Sequence, residues 1–174
     1  MTAVSLPVYD AADMTPTTNL AGIAGLYDRH SETVFRAALR ITGNHADAED
    51  VLQTVFLRVL ARREGVDAGA LPSAYFRRAA VNAAVDLLRR RAVHAESPYD
   101  EGAPHAAVEP PPLLKERLRR AIATLESEDA TLFLLRHVEG LSNEELAGMF
   151  QLEKNNVAVR LHRIRLRLQA EMDR

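Results

Sequence analysis

Two groups of side chains in this 174-residue chain carry hydrogen-bonding chemistry at helical spacing. Arg78, Asn82, Val85 and Arg89, extended by Arg90, form one line; Asn155, Asn156, Val159, His162 and Arg163, with Arg160 beside them, form a second. Guanidinium and carboxamide groups bond both phosphate oxygens and base edges, and an apolar side chain can meet a thymine methyl, so each line suits nucleic acid. A solvated basic surface is the plainer account of either line taken alone. The materials of catalysis are missing. The six histidines are scattered, there is no cysteine, and no HExxH or phosphate-binding glycine loop occurs. Asp47, Glu49 and Asp50 lack the spacing of a calcium loop. No catalytic residue, metal ligand or cofactor is expected, and binding is the expected activity.

A third group sits in DAEDVLQTVFLRVL, residues 47–60. At about 100° per residue, Val51, Leu52, Val55, Phe56, Val59 and Leu60 make one broad apolar stripe. Asp47, Asp50, Gln53, Thr54 and Arg58 fall on the other side, and Leu57 falls among them. An apolar side chain set in acidic and amide neighbours has the make-up of a docking centre for a basic partner. The acids also complement a helix N-terminus, which accounts for them without any partner.

These residues require helices to position them. In SAYFRRAAVNAAVDLLRRR, residues 73–91, the expected inner face is Phe76, Ala79, Ala80, Ala83 and Leu87, which leaves the Arg78–Asn82–Val85–Arg89 line outward. Ser73 after Pro72 marks the helix start. Ser142 and Glu145 have the spacing of a capping box, so a helix begins there. Leu146 and Met149 face inward, a short polar break follows, and Val157, Leu161, Ile164 and Leu168 repeat as the inner face of the next helix. Asparagine and arginine on the outer face of that second helix suit insertion into a major groove, a simple helical hairpin being the alternative.

No strand alternation or hairpin dipeptide occurs, so the fold class is all-α. HAESPYDEGAPHAAVEPPP, within residues 93–112, is rich in proline, acids and small residues and reads as a flexible linker. It separates two small helical domains, 22–92 and 113–174, after a tail at 1–21. Net charge is −2, but it is unevenly placed: Gly22–Ala92 holds 11 basic and 8 acidic residues, Val93–Pro112 holds 4 acids and no base, and Leu113–Arg174 holds 11 and 10. Locally basic helices can bind phosphate despite a neutral total. The start lacks the basic and apolar segments of a secretory signal, and nothing approaches the roughly 20 apolar residues of a bilayer span. A cytoplasmic protein without membrane insertion is expected.

Taken together, these segments resemble an RNA polymerase sigma factor of the extracytoplasmic-function group, the kind built from regions 2 and 4. DAEDVLQTVFLRVL resembles the part of region 2 that docks on the clamp helices of the polymerase β′ subunit. LPSAYFRRAAVNAAVDLLRRR resembles the part that melts and reads the −10 element. AIATL…FLLRHVEGLSNEELAGMF with VRLHRIRLRL resembles region 4, which reads the −35 element. The resemblance implies core polymerase (β′ clamp helices and β flap) and promoter DNA as partners, and an anti-sigma factor as a regulator. It also implies that the loop Gly65–Ser73 and the helix after it trap an unstacked −10 base and that the acidic linker occupies the polymerase RNA channel. The chain departs from the family at Leu125–Glu126, where Leu-Pro is common, and at Glu153, Asn155 and Asn156, where a capping residue and Gly-Thr are common. Ala158 and Val159 stand where a basic residue and a serine are usual, which implies weak or unusual −35 recognition. A helix-turn-helix regulator that recruits no polymerase is the alternative function.

Overall fold

A computed structural model describes residues 17–61, 71–95 and 113–173 of the chain. These form seven α-helices and no strand among the described residues. In chain order they are α1 (Thr17–Thr42), α2 (His45–Ala61), α3 (Ser73–Ala95), α4 (Leu113–Thr124), α5 (Ser127–His137), α6 (Asn143–Phe150) and α7 (Lys154–Met172). The expected all-α class and pair of helical units hold, with α1–α3 in the first and α4–α7 in the second. Two boundaries differ: α1 begins at Thr17, inside the expected tail, and α3 continues to Ala95, past Ala92. Most of the base-trapping loop, and the acidic linker after Ala95, lie outside the described residues.

The first unit is a three-helix bundle around Phe76 of α3. That ring is fully buried, with Phe56 of α2 at 5.7 Å and the imidazole of His30 stacked on it at 4.2 Å. Burying a side chain of this size contributes about 1.5–3 kcal/mol. Ala37, Ala38, Ala80, Ala83 and Ala84 are buried too, and their small side chains let α1 and α3 approach closely. The α1–α2 turn needs glycine. Gly43 has φ +67°, and a Cβ there would overlap the Arg119 guanidinium brought in by α4.

The second unit joins α4 and α5 to a helix-turn-helix, α6–α7. The capping box is present in full: the Glu145 backbone N–H donates to Ser142 Oγ at 3.2 Å, and the Ser142 backbone N–H donates to the Glu145 carboxylate at 2.7 Å. The turn that follows is made by Gln151 in the left-handed region, φ 55°. Val157, Leu161, Ile164 and Leu168 are all buried, as their spacing demands. The core runs on between the units, because α3 packs against α4 and α5 as well as α1 and α2. This placement explains the sequence of α3. A helix with neighbours on two sides needs apolar residues on two sides, and Val81, Val85 and Leu88 are buried along with Phe76 and Ala80.

Candidate nucleic-acid and polymerase interfaces

The outer face of α2 is where one docking patch is expected. Asp50 and Gln53 are exposed, and Thr54 is half-buried at the edge. Leu57 is 62 % exposed while Val51, Val55, Phe56 and Val59 on the opposite side are buried. Leu60, expected in the apolar stripe, is instead 38 % exposed and prolongs the Leu57 surface by one turn. Asp47 is a correction. Rather than facing outward it is buried, ion-paired with Arg91 of α3, and one of its carboxylate oxygens has no hydrogen-bond partner. Burial pushes its carboxyl above the usual carboxylate range, against the pull of Arg91. It ties α2 to α3 and is not part of the outer surface.

The α3 line is only partly outward. Val85 is fully buried, which corrects the expectation that it faces solvent. Three other members, Arg78, Asn82 and Arg89, are engaged by the second unit. Arg78 donates to the backbone carbonyl of Met149 at 2.7 Å, and its guanidinium lies 4.3 Å over the Phe150 ring. Asn82 Oδ1 accepts from the Thr131 hydroxyl at 2.6 Å. Arg89 donates to Ser127 Oγ at 2.5 Å and to the carbonyl of Leu125. Arg90 is exposed, with one bond to the Asp86 carbonyl in its own helix at 3.4 Å.

On α7, Asn155, Asn156, Val159, His162 and Arg163 are all exposed and form one outer face, with Leu166 continuing it. Arg160 differs. It donates to Asp129 at 2.6 Å and to Glu128 at 2.7 Å, two residues of the first turn of α5. Asp129 is itself buried and receives Arg167 at 3.4 Å. Arg160 therefore pins α7 to α5 through these two carboxylates. No side chain caps α7: Glu153 at its N-cap makes no such bond.

Arg119, Ser127, Thr131 and Glu139 escaped the sequence reading, because nothing local marks them. Each is an ordinary helix or loop residue whose partner lies far away in sequence: Arg119 donates to the Ile41 carbonyl at 3.1 Å, and Arg40 to Glu139 at 2.9 Å. Among the described residues no group of His, Cys, Asp and Glu could hold a metal ion, and no helix is long and apolar enough to cross a membrane.

Comparison with known proteins agrees with this layout. Residues 26–93 match the model for Sigma-70 region 2 and residues 115–168 that for Sigma-70, region 4. The RNA polymerase sigma factor CarQ of Myxococcus xanthus is 32 % identical over 142 residues, covering 79 % of this chain and 82 % of that protein. The RNA polymerase sigma-E factor of Streptomyces coelicolor is 28 % identical, covering 81 % and 80 %. The ECF sigma factor SigE of Mycolicibacterium smegmatis is 30 % identical over 82 % of this chain, which spans 58 % of that relative's length. Among solved structures, CnrH in complex with the cytosolic domain of CnrY shares the fold, with a TM-score of 0.51 at 23 % identity over 89 % of this chain and 94 % of that one. Two helical units in this order, each matching its own part of the same protein type, make the chain a member of the sigma-70 family: an RNA polymerase sigma factor of the extracytoplasmic-function group, built from regions 2 and 4.

Proposed function

We propose that the chain directs initiation by binding alone, with three faces in three roles. The outer face of α2, with Asp50, Gln53 and Leu57 and with Thr54 at its rim, docks on the clamp helices of the polymerase β′ subunit. On α3, Asn82 reads a −10 base while Arg78, Arg89 and Arg90 hold phosphates. On α7, Asn155, Asn156, Val159, His162 and Arg163 meet the −35 element, with the β flap bound elsewhere on region 4. Asp47, Val85 and Arg160 have no contact role here, since each is buried or committed to an internal ion pair.

The observation that carries this reading is Leu57. It stands 62 % exposed between polar neighbours on a helix whose opposite face is core. Desolvating such a residue against a partner supplies affinity, and the acids around it select a basic surface. The place of action is the cytoplasm, where polymerase and chromosome meet. An anti-sigma factor is the proposed inhibitor, as the resemblance to the group implies. Run-off transcription tests the whole reading: core polymerase plus this chain is given fragmented DNA of its own genome, and transcript 5′ ends are mapped. Discrete new starts are expected. DNA binding without any new start overturns polymerase recruitment and leaves a helix-turn-helix regulator.

A further inference from the structure

The start of α5 and the outer face of α7 border an open groove of 420 Å³, whose lining includes Glu126, Asn156, Val159, Arg160, Arg163 and Arg167. Asn156, Val159 and Arg163 also belong to the exposed line of α7, so the groove runs along the flank of that line. A helix inserted in a major groove is a ridge, and each sugar-phosphate strand that bounds the major groove is a ridge beside it. Such a strand needs a trough next to the helix. An open trough suits it better than a small molecule, which binds by being enclosed.

The charges along this trough are balanced. Arg160 is held by Asp129 at 2.6 Å and Glu128 at 2.7 Å, and Arg167 reaches Asp129 at 3.4 Å. That leaves Arg163 and Glu126, both exposed, and neither side chain has an ion pair or hydrogen bond among the described residues. Three guanidinium groups thus stand beside three carboxylates, and the trough offers a phosphate strand no net positive charge. Nor does α5 depend on the Glu126 side chain. Glu126 is the N-cap residue but makes no side-chain cap bond, and Glu128 and Asp129 already complement the helix start.

We propose that Glu126 is a brake on DNA binding by region 4: the trough between α5 and α7 seats the sugar-phosphate strand beside the −35 bases, Arg163 is its free cation, and the Glu126 carboxylate opposes it. The proposal rests on α7 being the −35 reader. Phosphates carry no sequence information, so the brake acts on every duplex alike, and added salt screens it. With the phosphate seat neutralised, base contacts make up a larger share of the binding that remains.

The test uses the full chain and anisotropy with fluorescein-labelled duplexes about two helical turns long. One duplex is a random-sequence pool, one is all A·T and one is all G·C. Glu126→Gln removes the charge and keeps the shape, and far-UV circular dichroism checks that it folds. It is expected to bind all three duplexes about 5-fold more tightly at low salt, a gain that fades as salt rises. Glu32→Gln makes the same change of charge at an exposed site on α1 and is expected to leave affinity unchanged. If Arg163→Ala weakens binding while Glu126→Gln leaves it unchanged, the brake is overturned and α7 remains the reader. If neither variant alters binding, α7 as the DNA reader falls as well. Equal gains from Glu32→Gln and Glu126→Gln overturn the trough and make net charge the cause. Weaker binding by Glu126→Gln to the G·C duplex alone makes the carboxylate an acceptor for cytosine N4 and likewise overturns the brake.

Discussion

Leu57 and Asp47 lie ten positions apart on one helix and show how far a side chain's role depends on its surroundings. Leu57→Arg replaces an exposed side chain, so stability should move by only about 0.5 kcal/mol. Affinity for core polymerase should nevertheless collapse, as a fluorescence titration will show; unchanged affinity removes Leu57 from the interface. Asp47 makes the opposite case. Its folded pKa is raised above the ordinary 3.8, chiefly by burial, so the folded chain takes up a proton more readily than the unfolded one. Its contribution to stability must then fall as pH rises from the unfolded value through the folded one, and the cost is fully present at neutral pH. Asp47→Asn should flatten this component. Urea midpoints of the two proteins between about pH 4 and pH 7 should diverge in the direction that favours the variant as pH rises. Parallel midpoints would mean that Arg91 cancels the burial completely.

At the scale of elements, the helix-turn-helix is well specified at its start and strained at its turn. Ser142 and Glu145 satisfy each other's backbone N–H groups, and those bonds hold the Glu145 carboxyl below its usual range. That support is present at neutral pH and fades as pH falls through the folded pKa. Gln151 holds φ 55°, where a Cβ is unfavourable. Gln151→Gly is expected to stabilise region 4 by up to about 1 kcal/mol, since relief of the strain outweighs glycine's greater freedom when unfolded. A lower melting temperature in this variant would show that the Gln151 side chain contributes more than its backbone costs. On α7, neighbouring arginines should separate cleanly. Arg160→Ala leaves the buried Asp129 with Arg167 alone and should cost about 1–3 kcal/mol. Arg163→Ala touches an exposed residue and should spare stability while weakening DNA binding and its salt dependence. Thermal melts and anisotropy titrations across salt concentrations measure both.

For the whole molecule, α3 is the shared wall of two helical units and the place where their interests conflict. As a wall it needs Val85 and Leu88 buried; in its proposed role as −10 reader it would use Arg78, Asn82 and Arg89, which here bond to residues of the second unit. Free chain should accordingly have a smaller radius of gyration by small-angle scattering than the Arg119→Ala/Thr131→Val/Glu139→Gln variant, because separated units on a linker occupy more space than packed ones. Equal radii would mean that the units are already apart in solution.

Local pattern was enough for the helices themselves. The 3.6-residue period, the Ser142–Glu145 box and the proline-rich seam reveal an all-α chain in two units, and Val157, Leu161, Ile164 and Leu168 are buried as their spacing requires. The same pattern misplaced Asp47, Val85 and Arg160. A helical projection gives the angle of a side chain around its own axis, but not how many neighbours that axis has. α3 has them on both sides, so Val85 is interior although it lies on the line of Arg78 and Arg89. Arg160 was grouped with the outer line of α7 because its partners, Glu128 and Asp129, stand 32 and 31 positions away. The packing that engages Arg78, Asn82 and Arg89 joins residues 71, 49 and 38 positions apart, a separation at which sequence spacing carries no geometric information and only the tertiary structure decides which surfaces meet.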